Sequence, residues 1–348
     1  MKNAIITGVT GQDGSILAEM LTQRGYKVFG LVRRNSQHGF GCLDTSLPGL
    51  EIVEGDLTDL SSLTRLCSTA QADIFINCAA QSHVGTSFTE PHHTFSVTAG
   101  GVLNCLEAMR LSRRPCRFLQ LSSSEMFGGM DYAQTYDDGF DYLTEESPFN
   151  PRSPYAVAKV AAYYLVRNYR EAYGLHASNS IAFNHEEPGR RGPNFVTRKI
   201  TLGIAGICNG THSKLSLGNI DAKRDWGLAS DYCDGMIRIV EAPEPGDYIL
   251  ATGQTHSVRE FLEIAFDHAG LGDWQQYIEI DPALYRPSEV QALRGDYQKI
   301  RDELGWSPSC SFDSLVRRMV DYDLSGIGID PLEGTVEDGL FIIGKEQK

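Results

Sequence analysis

Hydrophobic positions in the first half of the chain come in short continuous runs, each followed by a segment whose apolar residues recur every three or four positions. Residues 3–8 (NAIITG) form the first run, and SILAEMLTQRG behind it reads as an amphipathic helix stopped at Gly25. The alternation continues with the strand KVFGLVR, a polar loop to about Leu50, the strand LEIVEGD, the helix LSSLTRLCSTA and the strand ADIFINCAA. It ends with the helix TFSVTAGGVLNCLEAMRL, the strand RFLQLSS, the helix SPYAVAKVAAYYLVRNYREAYG and the strand HASNSIAFN. Continuously apolar strands alternating with helices predict an α/β fold of Rossmann type, a doubly wound parallel sheet covered on both faces.

Beyond about residue 184 the rhythm changes. A loop rich in Gly, Pro and Arg (HEEPGRRGPN) precedes the helix FVTRKITLGIAGICNG, and a turn-rich segment follows around residues 217–227. A strand near YILATG, a helix from SVREFLEIAFDHAG and a last helix around SFDSLVRRMVDYDL complete the pattern. Residues 1–183 are therefore expected to form the first domain, with later return segments near 220–255. Residues 184–348 are expected to form a smaller, mixed α/β C-terminal substrate domain.

A chain of 348 residues can bury two such cores, and 41% hydrophobic with 22% charged residues is ordinary globular composition. No apolar run is long enough for a bilayer, and the opening MKNAIITGVTG reads as a strand and glycine turn rather than a secretion signal. The eight cysteines show no CxxC pairs and no interleaved histidines, so a reduced, cytoplasmic protein without a metal site is expected. A formal net charge of −14 argues against nucleic acid as a partner, though local basic residues can still hold a phosphate.

Those local features begin after the first strand. Gly8-Val9-Thr10-Gly11-Gln12-Asp13-Gly14 is a GxxGxxG turn opening a helix. A glycine trio can be only a turn. Inside a βαβ unit it lets the helix N-terminus approach a pyrophosphate. NAD sites usually place an acid at the end of the second strand, whereas Arg33 and Arg34 stand here. A guanidinium suits the 2′-phosphate of NADP, although such a pair can also be a solvated surface feature. Asp56-Leu57 ends the third strand, where an adenine edge would lie, and Ala79-Ala80 ends the fourth, where small residues give room.

Tyr155 and Lys159 lie four apart on a helix and project from one face. The ammonium is expected to lower the tyrosine pKa, giving a base for a sugar hydroxyl while hydride leaves for the nicotinamide. YxxxK alone is common. After a Rossmann half, and after Ser122-Ser123-Ser124-Glu125 at a strand end, it becomes specific.

Together, GxxGxxG, the serine-rich strand end and YxxxK resemble the extended short-chain dehydrogenase/reductase superfamily. The resemblance implies an active-site triad of Ser123 or Ser124 with Tyr155 and Lys159. It also implies a dehydratase base at Glu125, which by itself could be a helix cap or a solvated acid. TGVTGQDGSILAEML, NCAAQSHV, SSSEMFG, PRSPYAVAKVAAYY, FNHEEPGRRG, FVTRKI, LGNIDAKRDWG, ATGQTHSVREF and YRPSEV occur in order. Over nearly the whole chain they are similar to the GDP-mannose 4,6-dehydratase family. This implies Gln81 at the cofactor, Ser82 and Ser87 at the substrate, and GDP-mannose or a related GDP-sugar as that substrate. Asn184, Arg198, Lys199, Lys223, Arg224 and Arg286 could surround its diphosphate, with Glu289 accepting from sugar or base. The resemblance further implies a homodimer through the helix of Tyr155, often paired into a homotetramer.

The chain departs from the family pattern at several points. Ser123 replaces the usual threonine, Glu187 replaces a serine and Gly189 is inserted, so NHESPRRG becomes NHEEPGRRG. The segment 129–147 is longer and more acidic, and the loop after Arg34 is shorter, where the family's subunits share cofactor contacts. These changes leave the reaction type in place and a GDP-heptose as the rival substrate. A nucleotide-sugar epimerase would have no use for Glu125, and a non-catalytic NADP-binding protein would not need the triad.

Overall fold

Seven apolar runs pair into one parallel sheet: β1 (Asn3–Thr7), β2 (Lys27–Val32), β3 (Leu50–Glu54), β4 (Ile74–Asn77), β5 (Arg117–Ser123), β6 (Ala177–Ala182) and β7 (Asp247–Leu250). The computed structural model describes residues 1–34, 39–112, 114–131, 133–135, 141–326, 336–337 and 340–341. Across the sheet the order is β3-β2-β1-β4-β5-β6-β7, so the direction of winding reverses between β1 and β4. That reversal opens a crevice beyond the C-terminal strand ends, where α/β sheets bind ligands.

Eight longer helices surround this sheet and a second core. They are α1 (Gln12–Gln23), α2 (Leu60–Ala70), α3 (Gly101–Ser112), α4 (Pro154–Tyr173), α5 (Val196–Cys208), α6 (Ala229–Glu241), α7 (Val258–His268) and α8 (Phe312–Leu324). Leu63, Leu106 and Val166 of α2, α3 and α4 pack with Phe75 and Phe118 on one sheet face. Leu17 and Leu21 of α1 and Met236 and Ile237 of α6 pack on the other. A separate cluster joins α5, α7 and α8 through Ile200, Phe261, Phe266, Leu315 and Met319. The parallel, doubly wound fold expected from the alternation is the one observed.

Two local features were not anticipated. Helix α6 has no counterpart among the expected elements, although Ala229, Tyr232, Cys233, Met236, Ile237 and Val240 bury one helical stripe. The helix expected over TFSVTAGGVLNCLEAMRL widens into a π turn at Ser96–Gly100 before α3 begins. Gly101 there lies against Leu57, whose Cβ would be 3.0 Å from any added Cβ.

The segment LGNIDAKRDWG, residues 217–227, folds around a buried acid. Asp225 accepts from the backbone nitrogens of Thr252 (2.8 Å), Gly253 (3.0 Å) and Gly295 (3.2 Å) and from the Thr252 hydroxyl (2.7 Å). Burial raises its carboxyl to about 6, against the pull of those donors. The knot fixes the neighbouring Arg224 behind the crevice.

The glycine turn is equally constrained. A Cβ on Gly14 would stand 2.2 Å from the Gly8 carbonyl oxygen and 2.6 Å from Val9 Cα, both backbone atoms. Gly14→Ala is therefore expected to cost about 1–3 kcal/mol in chemical denaturation, the usual range for overpacking. An unchanged unfolding midpoint would contradict this close approach of helix and turn.

Candidate active site

A cavity of about 720 Å³ lies over the C-terminal strand ends. The end where a cofactor is expected is built by the first turn. Gly8 has φ +69°, and a Cβ there would meet the Ala79 backbone nitrogen at 2.7 Å. Gly11 caps α1 without a side-chain acceptor, which leaves first-turn N–H groups for an anion. Gly8, Gly11, Gln12, Asp13, Gly14, Arg33, Asp56, Leu57, Ala79, Ala80 and Gln81 all line the cavity, whereas Arg34 is exposed and does not. Gln81 donates to the His83 carbonyl at 3.1 Å and keeps a buried Oε1 without a partner. An unsatisfied acceptor beside a glycine-walled groove fits a dinucleotide that brings its own donors.

Two acids expected at the cofactor turn to protein partners. Asp56 accepts from the Thr58 nitrogen and hydroxyl, each at 2.7 Å. Asp13 accepts from His185 Nε2 at 3.0 Å, while His185 Nδ1 lies 2.7 Å from the Phe183 carbonyl. A carbonyl and an ionised carboxylate only accept, so both ring nitrogens carry protons and His185 is an imidazolium. Burial would raise the Asp13 carboxyl, but His185 overrides it and holds it at about 2. Burial likewise opposes the histidine's charge, and Asp13 outweighs it, raising His185 above its ordinary 6.5.

At the other end, Ser123 finishes β5 and Pro154 opens α4 with Ser153 as its cap. This places Ser123, Ser124, Glu125, Tyr155 and Lys159 around the one cavity. The Glu125 nitrogen donates to Ser123 Oγ at 3.3 Å. Lys159 donates to the Leu121 carbonyl and sits 5.8 Å from the Tyr155 ring centroid. The expected lowering of the tyrosine by the lysine is not what the protein shows. Burial pushes the Tyr155 phenol up to about 12, partly relieved by its hydrogen bond with Ser123. Burial also drives Lys159 down to about 8, and its ammonium is directed at a backbone oxygen rather than the phenol.

The residues expected at the substrate divide into two groups. Ser82, Asn184 and Arg286 line the cavity. Arg224 is buried behind Glu125 and pairs with Glu289 at 3.3 Å. Ser87 is buried and donates to the Val84 carbonyl, and Lys223 is exposed on a short strand. Arg198 points away altogether: it forms an ion pair with Asp323 at 2.8 Å, and Thr201, one turn on, donates to the same carboxylate at 2.6 Å. Lys199 is buried, which lowers its pKa, with Asp281 as the charge opposing that shift.

His185, Arg190, Arg191 and Phe195 line the cavity but were not among the expected site residues. Their signal was available, because they follow the end of β6 on the binding edge. Arg191 lies 3.9 Å over the Phe195 ring and 2.9 Å from Glu186.

A Rossmann sheet whose binding edge gathers serine, tyrosine and lysine beside a dinucleotide groove defines an extended short-chain dehydrogenase/reductase with a nicotinamide cofactor. Comparison with known proteins narrows the class. The family model described as GDP-mannose 4,6 dehydratase matches residues 5–319. GDP-mannose 4,6 dehydratase 2 of Arabidopsis thaliana is 46% identical over 99% of this chain and 92% of its own length. The Homo sapiens GDP-mannose 4,6 dehydratase is 41% identical over 94% of this chain and 93% of its own. The solved structure of RMD from Pseudomonas aeruginosa complexed with NADPH superposes with a TM-score of 0.75 at 25% identity, covering 94% of this chain and 100% of that one. The chain belongs to the GDP-mannose 4,6-dehydratase family.

The Asp13–His185 pair carries a pH signature. The depressed Asp13 pKa contributes stability above 3.8 that is lost as pH falls through about 2. The raised His185 pKa contributes stability fully present below 6.5 and lost as pH rises through its elevated value. Asp13→Asn is therefore expected to cost of order 2 kcal/mol near about pH 6 and distinctly less near about pH 9. Thermal denaturation at both pH values checks this, and an equal cost at both would show that the pair is not ionic.

Proposed function

We propose that this chain uses NADP to convert GDP-mannose to GDP-4-keto-6-deoxymannose. The observation that carries the reading is the one cavity that Glu125 and Tyr155 line together with Ser123, Ser124 and Lys159. Ser82, Asn184 and Arg286 hold the sugar diphosphate, and Lys159 holds the cofactor ribose. Tyr155 takes the proton from the C4 hydroxyl, oriented by Ser123 and Ser124. A nicotinamide held in this groove would supply a positive charge that favours the phenolate and the means of moving hydride from C4 to C6. The resulting 4-ketone acidifies C5–H, which Glu125 removes. Glu125 then returns the proton to the C6 hydroxyl as water leaves, and Tyr155 reprotonates C5. The sugar loses one water, and the cofactor ends as it began.

Arg33 at the groove supports NADP over NAD through the 2′-phosphate. Exposed Leu103 and Leu111 on α3 and Val157 and Tyr164 on α4 supply an apolar face for a homodimer, with a homotetramer as a further assembly. All eight cysteines are free, in keeping with the cytoplasm. No helix among the described residues is long and apolar enough to cross a membrane.

Incubation with GDP-mannose, followed by mass spectrometry for loss of one water, tests the reaction. Glu125→Gln is expected to accumulate reduced nicotinamide while elimination falls roughly 10²–10⁴-fold. Full dehydration by that variant would remove Glu125 from the mechanism. Arg33→Ala is expected to weaken NADP by about tenfold or more, the loss of one charge-assisted bond, and to leave NAD nearly unchanged. Fluorescence titration of both cofactors decides it, and equal weakening would count against the 2′-phosphate contact.

A further inference from the structure

Glu125 does not stand alone in the cavity. Arg286 Nη1 donates to Glu125 Oε1 at 3.3 Å, and Arg224 Nε lies 4.0 Å from the same oxygen. The two guanidiniums are held very differently. The Arg224 side chain is 7% exposed and anchored by the Val290 carbonyl at 2.7 Å, the Lys223 carbonyl at 2.9 Å and Glu289 at 3.3 Å. The Arg286 side chain is 34% exposed, lines the cavity, and makes no other hydrogen bond among the described residues. Two guanidiniums and two carboxylates thus balance one another, and only one of the cations is free to change partner.

A guanidinium fork binds a phosphate at least as well as a carboxylate, and with the same bidentate geometry. We propose that Glu125 and the diphosphate of the incoming nucleotide compete for Arg286, so that the base is released into the cavity only when the nucleotide has claimed the guanidinium. Arg224 stays behind as a fixed charge. The inference rests on the proposed function for the identity of the nucleotide; the exchange itself follows from the geometry. Linkage makes it reciprocal: if the diphosphate loosens Glu125, then Glu125 must weaken the diphosphate. The base is thereby withheld from an empty site and delivered with its substrate.

The test uses GDP, which carries the diphosphate but no sugar for residue 125 to touch. It is titrated by calorimetry into the full-length enzyme saturated with NADP. Glu125→Gln, which removes the competitor and nearly keeps its shape, is expected to bind GDP about 5- to 10-fold more tightly than the unaltered enzyme. In an Arg286→Met background the same substitution is expected to leave GDP affinity unchanged. Equal GDP affinity for the unaltered enzyme and Glu125→Gln would overturn the competition. So would an undiminished tightening in the Arg286→Met background, because plain charge repulsion would then account for it. Failure of the unaltered enzyme to bind GDP strikes the assigned nucleotide instead, and the comparison is then read with inorganic pyrophosphate, the diphosphate alone.

Discussion

A ladder of buried polar side chains crosses the middle of the sheet. Thr7 on β1 donates to Asn77 on β4, and Asn77 donates to Gln120 on β5 at 2.6 Å. None of the three is more than 1% exposed, so each needs its neighbour, and an unpaired member would cost about 1–3 kcal/mol. An apolar sheet tolerates slippage along its strands far better than one threaded by such bonds. With Thr7 opposite Asn77 and Asn77 opposite Gln120, β1 and β4 end in step while β5 runs three residues further, to Ser123. Gly8, Ala79 and Ser123 consequently emerge on one edge, and the cavity is a product of that shared register.

The chemistry at this edge depends on burial more than on the pairing of Tyr155 with Lys159. Both groups are disfavoured in their charged forms by the same dry surroundings, the phenol pushed to about 12 and the ammonium to about 8. A base prepared in advance would be consumed by solvent protons between turnovers. In the proposed mechanism, a phenol that ionises only when cofactor and sugar hydroxyl are present is coupled to the step that needs it. The proposed exchange at Glu125 works in the same sense, with Arg286 donating to the carboxylate.

What the amino-acid pattern revealed and what it hid divide along sequence distance. Continuous apolar runs announced the strands, and Gly8, Gly11 and Gly14 announced the turn, because each answers to neighbours a few residues away. The stripe of α6 was equally readable, though its turn-rich approach at residues 217–227 masked the helix that follows. Arg198 was not readable. A basic residue in a site-like motif predicts an anion, and nothing local says that the anion is Asp323, brought in by α8. The bond between Arg286 and Glu125 spans 161 positions, and the clamp of Asp13 by His185 spans 172. Residues 136–140 of the acidic segment and residues 35–38 after Arg34 lie outside the described residues.

Glu187 and Gly189, where the sequence reads as departing from the family pattern, tie the glycine turn to the rest of the molecule. The longer side chain of Glu187 reaches the N-terminus of α6 and accepts from the Ser230 nitrogen at 2.9 Å, which a serine is too short to do. Its own nitrogen donates to Gln12 on the first turn of α1, also at 2.9 Å. The inserted Gly189 has φ +79°, and a Cβ there would fall 2.2 Å from the Tyr322 ring, so only glycine lets the extra residue pass beneath α8. Next to it, Arg190 donates to Ser15 and pairs with Glu19 on the outer turns of α1. An insertion that merely lengthened a loop would leave it slack. Here Arg190 meets α1 and Arg191 lines the cavity, so one segment of the cavity wall is fastened to the helix whose first turn lines it too.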